Sequence, residues 1–207
     1  LAVLDIGLMA VALRKRWTHL VLLAGVATVI MEFGWVEKFF AVEKCLTAMT
    51  VFLFFAALFY GAFALAHRRL ASEADPAQKW TTAAAILMPV AALAFAMYLL
   101  AHPYRDICGR PALLFSFVFL ADLALLGVAW LHTRLRAVQL LAGGAVFLLL
   151  AVWTGGFLTD ALLNTALAGF LLFAVLHSVF PVVVQRLRPG EPPVWWMHLF
   201  PSLALLL

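Results

Sequence analysis

The chain has 207 residues, of which 67% are hydrophobic and only 12% are charged. Soluble proteins are about half apolar and about a quarter charged, so this composition excludes a soluble globular protein and predicts a membrane protein. The net charge of +4 comes from short Lys and Arg clusters between apolar runs, which are typical of loops beside membrane spans and exclude a nucleic-acid interface.

Apolar runs between these basic clusters predict eight helices, at about 20 residues per membrane span. In chain order they cover residues 1–13, 18–36, 42–66, 81–102, 111–131, 137–156, 160–184 and 194–207. The predicted fold class is therefore an all-α polytopic transmembrane bundle, with no room for a soluble catalytic domain. The first and last runs are too short for a full span, so we expect the chain to be a fragment of a longer protein.

Four of the seven connections between these helices carry most of the basic residues. Loops 14–19, 67–80, 132–137 and 185–193 hold ten of the 14 Lys and Arg residues. Because cytoplasmic loops carry the excess of Lys and Arg, we predict that these four loops are cytoplasmic. The other three connections then face the opposite side of the membrane.

The sequence matches itself when it is shifted by about 118 residues. The most informative coincidences join one tryptophan, one aspartate and one proline in each half: Trp35 with Trp153, Asp5 with Asp122, and Pro89 with Pro201. Matches of these residue types carry weight in so apolar a chain, because matches among Leu, Ala and Phe arise by chance. We therefore expect two four-helix repeats, residues 1–104 and 111–207. Because four is an even number, both repeats enter the membrane from the same side.

Several polar and aromatic markers of the first 70 residues resemble a known family. They are Leu4-Asp5-Ile6-Gly7-Leu8, Ala12-Leu13-Arg14-Lys15-Arg16-Trp17, Leu22-Leu23, Thr28, Trp35 and the Phe-rich run from Phe52 to Leu58. Together they are similar to the large multi-spanning bacterial membrane proteins known as domain of unknown function 2339. The resemblance implies a much longer parent chain in the bacterial cytoplasmic membrane, and it implies no established activity.

Two acidic residues lie deep in apolar runs, where ionisable groups are costly and often mark a site. At 1.5 Å per helical residue, Asp5 lies about 14 Å and Asp122 about 18 Å from the next basic cluster. One interpretation is structural: each acid hydrogen-bonds to a neighbouring helix or faces a missing one. The other is functional: the acids form two related sites that bind a proton, a cation or the polar part of a substrate.

His177 also lies within an apolar run and is followed by Ser178 and Pro181. Proline frees the carbonyl four residues before it, which here belongs to His177 itself. A carbonyl, a hydroxyl and an imidazole would then be close together. They fit a proton relay, a haem or pigment ligand, or a substrate contact. The alternative is that His177 makes an ordinary hydrogen bond between helices.

The two cysteines, Cys45 and Cys108, both fall on the outer side in the predicted topology, where a disulfide is permitted. The alternatives are a Cys45–Cys108 bridge and two free thiols, because the sequence does not fix the distance between the two residues.

The chain shows no metal-ligand spacing, no nucleophile motif and no phosphate-binding glycine loop, so we predict neither a metal nor a cofactor. Its glycines, Gly25, Gly143-Gly144 and Gly155-Gly156, are instead expected to allow close packing of helices.

Two classes of function remain. The first is a non-catalytic helical membrane module or auxiliary subunit, whose partners are the lipid bilayer and other membrane subunits or further helices of the parent chain. The second is a transporter or carrier whose path is lined by Asp5, Asp122, His177 and Ser178. We favour the first class, because deep polar residues are few and the outer loops are short. A carrier predicts the two acids on facing helices around a cavity, whereas a module predicts them hydrogen-bonded within tight packing.

Overall fold

The computed structural model describes residues 1–69, 78–102, 104, 107, 109–131 and 137–187, and these residues contain helices and no strand. The helices are α1 (Ala2–Lys15), α2 (His19–Phe39), α3 (Cys45–Arg69), α4 (Gln78–Ala101), α5 (Pro111–Leu131), α6 (Ala137–Phe157) and α7 (Leu163–Leu187). Six of them, all except α1, are long and apolar enough to cross a membrane. The chain is thus an all-helical, multi-pass membrane protein by length and composition. The eighth predicted helix, 194–207, lies outside the described residues.

The predicted starts of the third and seventh helices, at residues 42 and 160, were three residues too early. A 3₁₀ turn precedes each helix, at Val42–Lys44 before α3 and at Asp160–Leu162 before α7. Each turn follows an extended residue, so the chain changes direction before the α-helix begins. Both helices also run three residues beyond the predicted ends, and each has an arginine near its C-terminus, where a cation favours the helix dipole.

Helix α4 lies at the centre of the bundle. It packs against α2 and α3 on one side and against α5 and α6 on the other. Its buried face is rich in alanine, which lets neighbouring backbones approach closely: Ala84, Ala85, Ala91, Ala92 and Ala96. The packing of α4 therefore joins the two predicted repeats in one continuous core.

Aromatic rings connect the helices around α4. The rings of Phe52 on α3 and Phe95 on α4 stack with their centroids 4.7 Å apart. Phe33 of α2 meets the Phe52 ring edge-on, and Phe117 of α5 meets the Phe95 ring in the same way. Such pairs are favourable beyond their buried area, so these rings fix the relative positions of four helices.

The segment from α2 to α3 and the segment from α6 to α7 have the same organisation. Every bound of the first helix, the 3₁₀ turn and the second helix recurs 118 residues later. The helix in front of each segment is also placed in the same way, because α1 packs on α2 and α3, and α5 packs on α6 and α7.

Glycine allows close packing at some of the expected positions and not at others. A Cβ at Gly25 would meet the Phe59 ring at 3.3 Å, as close packing requires. The expectation was wrong for Gly144, Gly155 and Gly156, where a Cβ would have no atom of the described residues within 4 Å. The tightest contact was not predicted: a Cβ at Gly169 of α7 would lie 2.5 Å from the Phe115 ring of α5.

This contact predicts that Gly169→Ala destabilises the bundle. The Phe115 ring is buried against Trp153 and Phe173 and has little room to move, so overpacking should lower the free energy of unfolding by about 1–3 kcal/mol. The matched control is Gly144→Ala, which meets no neighbour and should gain up to about 1 kcal/mol of helix propensity. Thermal melting of both variants in detergent tests the difference, and equal melting temperatures would contradict it.

Candidate functional site

Asp122 and His177 form a buried pair between α5 and α7. Asp122 lies at the middle of α5 and is 0% exposed, and its Oδ2 is 3.1 Å from Nε2 of His177. The ring of Phe147 on α6 covers the imidazole, with the ring centroids 5.8 Å apart. The other carboxyl oxygen of Asp122, Oδ1, has no hydrogen-bond partner among the described residues. This pair therefore joins two helices in an apolar setting.

Ser178 does not take part in the pair. Its hydroxyl donates to the carbonyl of Ala174, one turn earlier on α7 itself. Pro181 lies inside α7, as the sequence indicated. Of the four predicted site residues, the structure thus brings together Asp122 and His177 and leaves Ser178 and Asp5 apart from them.

Asp5 lies in a different interface, between α1 and α2. Its Oδ2 accepts a hydrogen bond of 3.0 Å from the hydroxyl of Thr28, and both residues are buried. Both predicted acids therefore lie buried between helices, but their partners differ. Asp5 of α1 pairs with α2, the following helix, and Asp122 of α5 pairs with α7, two helices later. They do not share one path.

Glu32 is a buried acid that the sequence reasoning missed. It lies one helical turn after Thr28 on α2, on the side of the helix that faces Asp5. Only 5% of Glu32 is exposed, and neither of its carboxyl oxygens has a hydrogen-bond partner in the described part of the chain. The signal was present in the sequence: Glu32 is the one acid between His19 and Val36, and it follows Thr28 at the spacing of one turn.

Glu32 borders a cavity of about 360 Å³ between α2 and α3. The rest of the lining is almost wholly apolar and contains three aromatic rings. The lining residues are Leu1, Met31, Glu32, Trp35, Thr47, Ala48, Val51, Phe52 and Phe55. Met31 and Val51 are exposed on the outer surface of the bundle, so the cavity opens towards the lipid.

Other buried polar groups connect helices without forming a site. On the predicted cytoplasmic side, Gln78 Nε2 of α4 lies 2.7 Å from Nδ1 of His67 on α3, and this bond holds the two helices together. Within the described ranges, no three His, Cys, Asp or Glu side chains cluster closely enough to hold a metal ion.

Cys45 is the first residue of α3 and is buried as a free thiol. Cys108 lies outside the described residues. The bridge and the pair of free thiols therefore both stay as the alternatives that the sequence allows.

No known protein family, no curated protein and no solved structure matches this chain. The function is therefore inferred from the sequence and from the contacts between its residues.

The Asp122–His177 pair predicts a compensating double substitution. Asp122→Leu should cost about 1–3 kcal/mol, because it leaves the buried imidazole without this partner. Adding His177→Phe, which introduces the residue found 118 positions earlier, should recover most of that loss, since replacing both partners by apolar groups is nearly neutral.

The control for this pair is Ser178→Ala, which removes a hydroxyl that bonds only within its own helix and should change stability by less than about 0.5 kcal/mol. Unfolding in a denaturing detergent of the unmodified protein, Asp122→Leu, His177→Phe and the double variant gives a double-mutant cycle. If the double variant loses the sum of the two single losses, the pair does not couple α5 to α7.

Proposed function

We propose that the chain is a non-catalytic helical module or auxiliary subunit of a bacterial cytoplasmic membrane protein. The observation that carries this proposal is the placement of the two deep acids. Asp5 and Asp122 are both buried, and each hydrogen-bonds to a neighbouring helix in a separate interface. A module uses such hydrogen bonds to fix the positions of its helices, whereas a carrier needs its deep acids around a common path.

The outer surface of the bundle supports a role in binding lipids and other membrane helices. Large apolar side chains are exposed along α1, α2 and α7: Val3, Leu4, Ile6, Leu23, Ile30, Leu167, Leu171 and Val175 are each at least half exposed. Of the six candidate spans, α7 is the least buried, with 17% of its most apolar window inside the described bundle. Side chains of this kind are stable against lipid tails or against the apolar faces of partner helices.

The internal repeat and the family resemblance belong to the same proposal. The recurrence of helix bounds at an offset of 118 residues supports two parallel repeats, which we place at residues 1–104 and 111–207. Repeats of this kind fit a much longer parent chain with many more helices, as the resemblance to domain of unknown function 2339 implies. The further helices of that parent chain are then natural partners of the exposed faces.

The proposed orientation follows from the basic residues. Loop 14–19, whose Arg16 has the left-handed backbone conformation, turns the chain between α1 and α2 and lies on the cytoplasmic side. The other three predicted cytoplasmic loops are 67–80, 132–137 and 185–193. Most of their residues lie outside the part of the chain that the structure describes.

A carrier remains the second candidate, because one observation favours it. The cavity beside Glu32 offers an unpaired carboxyl to a molecule that enters from the membrane.

The module proposal predicts that Asp5→Asn and Asp122→Asn lower only stability. Asparagine keeps the shape and a hydrogen-bonding oxygen, so we expect a loss of about 1 kcal/mol and unchanged association with partner proteins. Asp160→Asn is the matched control, because Asp160 is exposed in the turn before α7. Native mass spectrometry of the full-length protein in nanodiscs measures the association, and thermal melting measures the stability.

In this experiment, partner proteins at a fixed stoichiometry that the Asn variants retain would support the module. A protein that carries a bound small molecule and no partner protein would support the carrier and contradict the module.

A further inference from the structure

Tyr60 of α3 has a hydroxyl group that makes no hydrogen bond to any of the described residues. The residue lies nine positions before Arg69, about 14 Å along the helix, which is farther than a tyrosine side chain reaches towards the membrane surface. A tyrosine hydroxyl that is removed from water usually finds a partner, and lipid tails offer none. An unpaired hydroxyl at this depth therefore calls for an explanation.

The second half of the bundle satisfies the hydroxyl group at the corresponding position within one helix. Ser178 lies 118 residues after Tyr60, and its hydroxyl donates to the carbonyl of Ala174, one turn earlier on α7. Only short side chains can bond back to their own helix in this way. The hydroxyl of Tyr60 is held away from its own backbone by the aromatic ring, so its partner has to come from elsewhere.

A glycine of α5 gives the ring of Tyr60 its place between two helices. A Cβ at Gly127 would lie 3.0 Å from both Cε2 and Oη of Tyr60, so a larger residue would push the ring away. The ring of Phe63, three residues later on α3, lies beside it with the centroids 6.3 Å apart. The hydroxyl is therefore positioned against the backbone of α5.

Tyr60 also lines a groove of about 380 Å³ between α3 and α5. It is the only polar residue of this lining, which consists of Leu53, Ala56, Ala57, Tyr60, Leu120, Leu123 and Ala124. Leu120 and Leu123 are 50% and 39% exposed on the outer surface of the bundle, so the groove opens towards the lipid. All of the lining residues belong to the middle turns of α3 and α5.

The groove specifies the chemistry of an occupant. The phenolic proton of Tyr60 needs an acceptor, because a buried donor without one costs free energy. A water molecule held in a cavity needs several polar partners, and this lining offers a single side-chain hydroxyl. A charged ligand would stay unpaired at this depth, because no lining residue carries a charge. The groove therefore suits a neutral, lipid-soluble molecule with an oxygen acceptor.

The size of the lining side chains specifies the shape of the occupant. Ala56 is 2% exposed and lies at the bottom of the groove, and Ala57 and Ala124 are equally small. The leucines at the rim are larger, so the space beside Tyr60 is deepest over the alanines. A quinone ring is flat and uncharged, and its carbonyl oxygens lie at its edge, where they accept a hydrogen bond close to the ring plane.

We propose that the groove between α3 and α5 binds a lipid-soluble quinone. The ring lies over Ala56, Ala57 and Ala124, and one carbonyl oxygen accepts a hydrogen bond from Tyr60. The ligand enters from the lipid, past Leu120 and Leu123. The site goes beyond the proposed function, because a module with partner subunits and a lone carrier can both hold such a ligand.

The first test uses the full-length protein in nanodiscs, labelled with 3-fluorotyrosine and observed by fluorine NMR. The resonance that Tyr60→Phe removes is that of Tyr60, and Tyr98 and Tyr104, which lie outside the groove, are internal controls. We expect duroquinone, a fully methylated benzoquinone, to shift the Tyr60 resonance until the site is saturated, because the phenolic proton is donated to a carbonyl oxygen. Durene, which has the same ring and methyl groups without carbonyl oxygens, should leave the resonance in place.

Two outcomes of this test would overturn the proposal. An equal shift with durene would mean that the groove is only apolar space. No shift with either compound would mean that a lipid tail or a protein segment fills the groove. Neither outcome bears on whether the chain is a module, which is decided by its association with partner proteins.

The second test compares the affinities of variants for duroquinone by equilibrium dialysis. Empty nanodiscs of the same lipid correct for partition of the quinone into the bilayer. Tyr60→Phe keeps the ring and removes the hydroxyl, so it should weaken binding about fivefold, as expected for the loss of one neutral hydrogen bond. Ala57→Leu keeps the hydroxyl and fills the exposed side of the groove, so it should remove the saturable binding.

The matched control for these variants is Tyr104→Phe. It removes a hydroxyl outside the groove and should bind duroquinone as the unmodified protein does. The melting temperature of each variant confirms that it is folded. Unchanged binding in a folded Tyr60→Phe or Ala57→Leu protein would contradict the proposal.

Discussion

Every polar group inside a membrane bundle must find its partner within the protein, because lipid tails offer none. For two of its deep acids, this chain meets the constraint with a hydrogen bond between helices. Thr28 of α2 bonds to Asp5 of α1, and His177 of α7 pairs with Asp122 of α5. Each bond fixes the relative depth and rotation of two helices. The few deep polar residues therefore determine an arrangement that apolar packing alone does not specify.

The apolar side chains pack the interior of the bundle, whereas the polar pairs fix the depth and rotation of the helices. In a membrane, burial from water does not drive one helix against another, so close contact must come from van der Waals packing. The alanine-rich face of α4 supplies it, because small side chains let four neighbouring helices approach one central helix. The stacked rings of Phe52 and Phe95 then fill the space that the small residues leave. As a result, α4 holds the two halves together.

Much of the fold could be predicted from the sequence, because a membrane span is a long apolar run bounded by basic residues. The same hydropathy does not distinguish a 3₁₀ turn from a first α-helical turn, so the starts of α3 and α7 were misplaced by three residues. The pairing of Asp122 with His177 joins residues 55 positions apart and depends on how α5 and α7 rotate, which local pattern does not encode. Glu32 was missed because it lies only four residues before the predicted end of its helix at residue 36, and its burial depends on how α2 packs against its neighbours.

The first and second halves of the bundle provide hydrogen-bond partners for their acids in different ways. The polar partner is Thr28 on α2 in the first half and His177 on α7 in the second. At the corresponding positions of the opposite half, the chain has Val146 and Phe59, both fully buried and apolar. Each half therefore has one polar and one apolar residue at these two positions, so its acid has one side-chain partner for a hydrogen bond. The helix that supplies the partner is thus the following one in the first half and the next but one in the second, and the choice depends on which of the two positions carries the polar side chain.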